Sequence, residues 1–167
     1  HNYKLDVAVY QGGYGSGKTF SGSLLGILLC HKFPGIRGLV GAQTYTLVRD
    51  TTLQTYFEHL DNMGFYDGHD YVWSASLQKL TFKNGSEILF RHFDEPNKLK
   101  SLNLGFVEIE EMSDIPYDTF LMLLSRMRQK VKKNWVNFKY RIFGHTNPEM
   151  CRGWIYKTFV VKPPPNY

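Results

Sequence analysis

From Gly12 to Thr19 the chain reads GGYGSGKT, four glycines, a lysine and two aliphatic hydroxyls within eight residues. The run matches G-x-x-x-x-G-K-[ST], a pattern suited to holding a nucleoside triphosphate. Glycines let backbone N–H groups turn inward around a phosphate, a lysine neutralises the β- and γ-phosphates, and a hydroxyl binds Mg²⁺. On this reading Gly12, Gly13, Tyr14, Gly15, Ser16, Gly17, Lys18, Thr19 and the following Phe20 contact ATP, and Thr19 is a metal ligand. The plainer alternative is a glycine-rich turn with an incidental lysine. The rival pattern G-x-G-x-x-G fails, because its third glycine would have to fall at Lys18 or Phe20.

Hydrolysis needs acids as well. In GFVEIEEMSD, Glu110 ends an apolar stretch with Glu111 beside it. At the carboxyl edge of a sheet, the first acid would support Mg²⁺ and the second would orient and deprotonate the attacking water. Taken alone, EIEE also reads as a solvated charge cluster, and Glu108 offers a second register for the metal-supporting acid. A third element is GHTNP, where Thr146 and Asn147 follow another apolar stretch and could reach the γ-phosphate; a capped turn is the alternative. His145, a single histidine with no evident partner, reads as structural.

These groups need elements to carry them. Leu5 to Tyr10 (LDVAVY) reads as a buried strand feeding the glycine loop, and from Lys18 the leucines 24, 25, 28 and 29 recur at helical spacing until Pro34-Gly35. Arg37 to Ala42 reads as a strand, Tyr45 to Met63 as a helix, and Lys79 to Phe93 as a hairpin turning on the dipeptide Asn84-Gly85. Phe106 to Glu110 reads as a buried strand, Pro116 to about Arg128 as a helix, and Phe138 to Pro148 as a last strand. Strands alternating with helices predict a mostly parallel sheet with helices on both faces.

The bulk composition sets limits. At 167 residues, 43% hydrophobic and 16% aromatic, the chain can bury one α/β core. No apolar run approaches the ~18 residues of a membrane span, and the first residues lack the core of a signal peptide, so a soluble intracellular chain is expected. Cys30 and Cys151 stand at no metal-ligand spacing and read as buried thiols. A net charge of +5 permits a polyanionic partner without requiring one.

In this order, GGYGSGKT, TLVRDTTLQTYFEHL, LQKLTFKNGSEILF, KLKSLNLGFVEIEEMSDI, LSRMR and FGHTNP resemble the ATPase domain of phage large terminase subunits. The resemblance covers nearly the whole chain. It implies a RecA-like (ASCE) P-loop fold with an inserted β-hairpin and an added strand between the P-loop strand and the acid strand. It implies an ATP- and Mg²⁺-dependent motor packaging double-stranded DNA, with Lys18 and Thr19 as the P-loop pair, Glu110 as metal-supporting acid, Glu111 as catalytic glutamate and Thr146-Asn147 as coupling motif. By the same resemblance, the partners are a portal protein, a small terminase subunit and further copies in a ring, in the host cell cytoplasm. The resemblance further implies that residues 1–160 are the ATPase domain and that the proline-rich 161–167 would begin a linker to a nuclease domain, and no nuclease activity is expected of this sequence.

Two positions depart from the family pattern. Tyr14 and Gln43 stand where arginines are common. A cation acting in trans on a neighbour's γ-phosphate is then expected from Lys100, eleven residues before Glu111, with Arg126 or Arg128 as the next candidates. The plainer reading of Lys100 is an exposed loop lysine beside Lys98. The basic stretch Arg126, Arg128, Lys130, Lys132 and Lys133 reads either as a solvated helix end or as a contact to DNA or to a neighbouring subunit's nucleotide. Outside this family, the same motifs fit a helicase-like P-loop ATPase or a nucleotide-binding module inactive without partners.

Overall fold

The computed structural model describes residues 4–148 and 153–161. Cys151 and the prolines of the tail lie outside the described residues. Strand β1 (Leu5–Gln11) feeds the glycine loop, and helix α1 (Lys18–Lys32) follows it. Next come β2 (Arg37–Ala42), α2 (Tyr45–Leu47), a π-helical turn (Val48–Thr52) and α3 (Leu53–Asn62). An antiparallel wing follows, β3 (Tyr71–Ser74), β4 (Lys79–Phe82) and β5 (Glu87–His92). Then β6 (Phe106–Ile109), α4 (Tyr117–Leu124) and β7 (Tyr140–Thr146) complete the set that positions the site.

The seven strands form one sheet in the order β1-β7-β6-β2-β5-β4-β3. Strands β1, β7, β6, β2 and β5 run parallel, and β4 and β3 add antiparallel pairings at the far edge. This is the expected mostly parallel sheet, and β7 is the expected extra strand between β1 and β6. All four residues of central β6 are buried, because helices cover both faces there. One face packs Ile27, Cys30 and Phe33 of the α1 region against Tyr56 and Leu60 of α3; the other packs Met112, Phe120 and Leu123 against Leu39, Val107 and Ile142.

Four elements differ in detail from the pattern of the sequence. The leucines of α1 do not form its buried face as a whole: Leu28 is exposed, and the buried residues include Gly22, Ser23, Gly26, Ile27, Leu29 and Cys30. Small residues there let α1 lie close to side chains rising from the sheet. The long helix after β2 contains a π turn, which shifts the register between α2 and α3. The hairpin loop is Lys83-Asn84-Gly85, three residues long; only Gly85 takes positive φ (82°), while the Asn84 amide donates to the Cys30 carbonyl. Helix α4 ends at Leu124, well before Arg128, because the chain then pairs backbone with the approach to β6, Leu104 N–H donating to the Arg126 carbonyl at 2.9 Å.

Candidate active site

The glycine loop joins β1 to α1 at the carboxyl edge of the sheet. Gly15 and Gly17 have φ of 75° and 77°, a left-handed backbone that side-chain-bearing residues resist, and α1 opens immediately after Gly17. The first turn therefore presents free N–H groups and the positive end of the helix dipole to the loop's interior. Lys18 is buried and folds back over the loop, donating to the carbonyls of Gly12 (2.5 Å) and Gly13 (3.0 Å). Tyr14 stands fully in solvent at the tip, and Phe20 is half exposed with its ring 4.2 Å from that of His59.

Strands β6 and β7 deliver the acids and the polar turn. Their register sets Ile109 opposite Gly144, so Glu110 and His145, one residue on, stand side by side. The Glu110 carboxylate is buried and held from three directions. Thr19 Oγ1 donates to Oε1 at 3.2 Å, while Thr52 Oγ1 (3.1 Å) and His145 Nδ1 (3.2 Å) donate to Oε2. Burial pushes the Glu110 carboxyl up, but these hydrogen bonds and the His145 charge outweigh it and hold the group below its ordinary value. Glu108, fully buried, behaves oppositely: desolvation drives it to about 7 against the pull of His145 and of the Tyr56 hydroxyl. At His145 burial acts downward, yet the Glu110 hydrogen bond and the charges of Glu108 and Glu110 raise it.

Glu111 differs from its neighbour. It is half-buried, takes φ 45° and ψ 61°, and its Oε1 accepts from the Asn147 amide at 3.0 Å. The other end of that amide, Oδ1, accepts from Lys18 Nζ at 3.1 Å. Asn147 thus bridges the P-loop lysine and the second acid. A left-handed non-glycine residue stores about 1–3 kcal/mol of backbone strain, a feature that concentrates at sites of function. Of the polar pair in the turn, Asn147 alone reaches the loop lysine; Thr146 is buried and donates to the Asn147 carbonyl.

Lys18, Thr19, Glu110, Glu111 and Asn147 are therefore brought together by hydrogen bonds. Lys100 is not: it follows a 3-10 turn (Pro96–Leu99), is exposed, and its carbonyl accepts from the Arg126 guanidinium. In the basic stretch, Arg128 donates to Asn103 and Lys132 to the Pro34 carbonyl, so these cations tie loops of this chain together. Sequence reading missed Thr52 and Tyr56, and it took His145 as unpartnered; the structure gives His145 two carboxylates. The one available signal was the spacing of Glu108 and Glu110, which places both acids on the same face of one strand.

The donor set is hard oxygen, a hydroxyl and a carboxylate beside a lysine and a nest of amides, which suits Mg²⁺ with phosphates rather than a soft metal. The Gln43 side-chain oxygen is buried without a hydrogen-bond partner among the described residues. A sheet of this order with a glycine loop after its first strand, an acid pair after β6 and a polar turn after β7 defines a P-loop protein of RecA-like fold. The chain belongs to the phage terminase large subunit family, whose family model matches residues 4–166. It is 33% identical over 159 residues to the PBSX phage terminase large subunit of Bacillus subtilis (strain 168), covering 95% of this chain and 35% of that protein. The fold matches the large terminase of the thermophilic bacteriophage D6E (TM-score 0.74, 14% identity, 96% of this chain and 38% of that one). That terminase is also known in complex with ADP and with ATP-gamma-S, at TM-scores of 0.72 and 0.71. The Thermus phage P74-26 large terminase ATPase domain matches at 0.57, with 17% identity over 90% of this chain and 62% of that one. The chain thus spans about a third of the length of the curated relative it matches. Among the described residues, no helix is long and apolar enough to cross a membrane.

Proposed function

We propose that this domain binds ATP with Mg²⁺ and hydrolyses it, as the motor part of a DNA-packaging terminase. The observation that carries the reading is the hydrogen bond from Thr19 to Glu110, 3.2 Å, between the P-loop hydroxyl and the strand-end acid. The bond sets the loop hydroxyl and the acid side by side, where both could serve one cation on a nucleotide. Mg²⁺ held by Thr19 and Glu110 would neutralise charge on the β- and γ-phosphates. Lys18 exchanges the Gly12 and Gly13 carbonyls for phosphate oxygens. Glu111 takes a proton from the attacking water; the new P–O bond forms as the bond to ADP breaks, releasing inorganic phosphate.

Asn147 supplies the link to movement in this reading. Its carboxamide joins Lys18 to Glu111, so a lysine drawn onto phosphate changes the partner of the acid's own hydrogen-bond donor. Released phosphate reverses the exchange, and β7 carries the difference into the sheet. The family supports double-stranded DNA as the track, with a portal protein, a small terminase subunit and further copies of this chain in a ring. Lys100 is the proposed cation for a neighbour's site, because it is exposed and takes no part in the hydrogen bonds that assemble its own.

Calorimetry with ATP and Mg²⁺, paired with phosphate release at several protein concentrations, tests the reading. Saturable binding is expected, with turnover per chain rising with concentration. Absence of ATP binding in a folded protein contradicts it. Turnover independent of concentration and unchanged in Lys100→Ala removes the trans role of Lys100 alone.

A further inference from the structure

Beneath the P-loop runs a buried polar chain that the proposed reaction leaves unexplained. It passes from Thr19 to Glu110, to His145, to Glu108 and ends at Tyr56 on α3. His145 Nδ1 meets Glu110 at 3.2 Å and Nε2 lies 3.4 Å from Glu108 Oε1; the Tyr56 hydroxyl donates to Glu108 Oε2 at 2.7 Å. His145 and Glu108 are 2% and 0% exposed. Helix α1 is shaped around them. A Cβ at Gly22 would overlap both His145 Nε2 and Glu108 Oε1, and one at Gly26, a turn later, would overlap the Tyr56 hydroxyl.

Burying carboxylates and an imidazole costs desolvation that apolar side chains of equal volume would avoid. Their place directly behind Glu110 gives the cost a purpose. Thr19 and Thr52 each offer Glu110 one rotatable hydroxyl, whereas the imidazole is planar and wedged between β6, α1 and a second carboxylate, so it fixes the plane of the Glu110 carboxylate. We propose that His145 is a positioning residue: its Nδ1–H aims Glu110 at Thr19, while Glu108, held by Tyr56, backs the imidazole as a close charge, its Oε1 3.4 Å from Nε2 without a hydrogen bond between them. The inference rests on the reading above, in which Glu110 and Thr19 serve Mg²⁺. Partners standing behind metal-binding groups commonly change metal affinity or activity by about 10–100-fold when lost.

Two substitutions separate positioning from packing. In His145→Asn an amide nitrogen occupies the place of Nδ1 and keeps the bond to Glu110; in His145→Gln the amide reaches toward Glu108 and leaves Glu110 without it. Mg²⁺ titrations of ATP turnover are run on both and on the unaltered chain, with melting temperature and ADP binding in EDTA measured alongside. His145→Gln is expected to need roughly 10–100-fold more Mg²⁺ for half-maximal turnover, and His145→Asn within about 3-fold of the unaltered chain. ADP binding without metal should be the same in all three. Equal Mg²⁺ requirements in the two variants, or a fall in melting temperature with an unmoved Mg²⁺ curve, overturn the proposal. Should His145→Gln fail to fold, Gly22→Ala presses on the imidazole without removing it and must move the Mg²⁺ curve the same way; an unmoved curve is again contrary. If the unaltered chain shows no Mg²⁺-dependent turnover or binding of ATP, the ATPase reading itself falls, and this inference with it.

Discussion

The floor and the rim of the site are built in opposite ways, although Glu110 and Glu111 are adjacent in sequence. On the floor, Glu110 is buried with both oxygens engaged, and its partners come from α1, the π turn and β7. On the rim, Glu111 sits in a left-handed conformation, and among the described residues its carboxylate accepts one hydrogen bond, from Asn147, itself exposed. Tyr14 and Phe20 complete the rim in solvent. The contrast teaches that one chain can assign rigidity and response to neighbouring residues. A group that must hold a cation in one place is buried and pinned from several elements, while a group that must change partners during a cycle is left with few bonds and some strain.

The contrast can be broken first at the rim. Lys18→Ala removes the cation over the loop and should weaken ATP affinity by on the order of 10²-fold, as loss of charge-assisted bonds to phosphate implies. The melting temperature should change little, since Lys18 is tied mainly to carbonyls of its own loop and, beyond it, only to the exposed Asn147; calorimetry and a thermal melt check both. At the floor the order reverses. Gly26→Ala drives a methyl group into the Tyr56 hydroxyl and should cost about 1–3 kcal/mol of stability, the usual range for overpacking. Adding Tyr56→Phe should recover part of that loss in a double-mutant denaturation cycle, because the hydroxyl is the atom in the way.

A smaller effect is expected far from both regions. Glu87 on β5 is paired with Arg37 and Lys79, each at 2.9 Å; burial works upward on it, but the two cations prevail and its pKa is lowered from 4.5. A lowered acid stabilises the fold above its unfolded value and loses that contribution as pH falls through its folded value. Glu87→Gln should therefore be less stable than the unaltered chain at neutral pH, by up to about 1 kcal/mol, with the gap closing as pH falls below 4.5. Denaturant melts across that window measure it. Smallest of all, Tyr14→Ala should leave stability within about 0.5 kcal/mol, as expected for a side chain wholly in solvent.

Much of this was legible in the residues. The bounds of β2, the start of α1 and the buried β6 follow from β-branched runs, glycines and a proline, all local signals. The floor was not legible, because Thr52 and Tyr56 meet Glu110 and Glu108 only after α3 docks across more than fifty residues of chain. His145 looked solitary for the same reason: its partners stand on a neighbouring strand, and only the β6–β7 register brings them close. Strand β3 escaped notice because YVWS is short, lies at the sheet edge and buries only Tyr71. The small-residue face of α1 was hidden by its leucines, which are more apolar but point partly outward.

The division between floor and rim is tested most directly by Mg²⁺ titrations of ATP binding and turnover in Glu110→Gln and Glu111→Gln, side by side. Glu111→Gln is expected to bind ATP with Mg²⁺ almost normally while turnover falls by roughly 10²–10⁴-fold, the range for loss of a positioned general base. Glu110→Gln should instead show its defect as a raised Mg²⁺ requirement. The reverse pattern, with Glu111→Gln raising the Mg²⁺ requirement and Glu110→Gln losing turnover at unchanged affinity, would contradict the assignment of metal support to the floor and water activation to the rim.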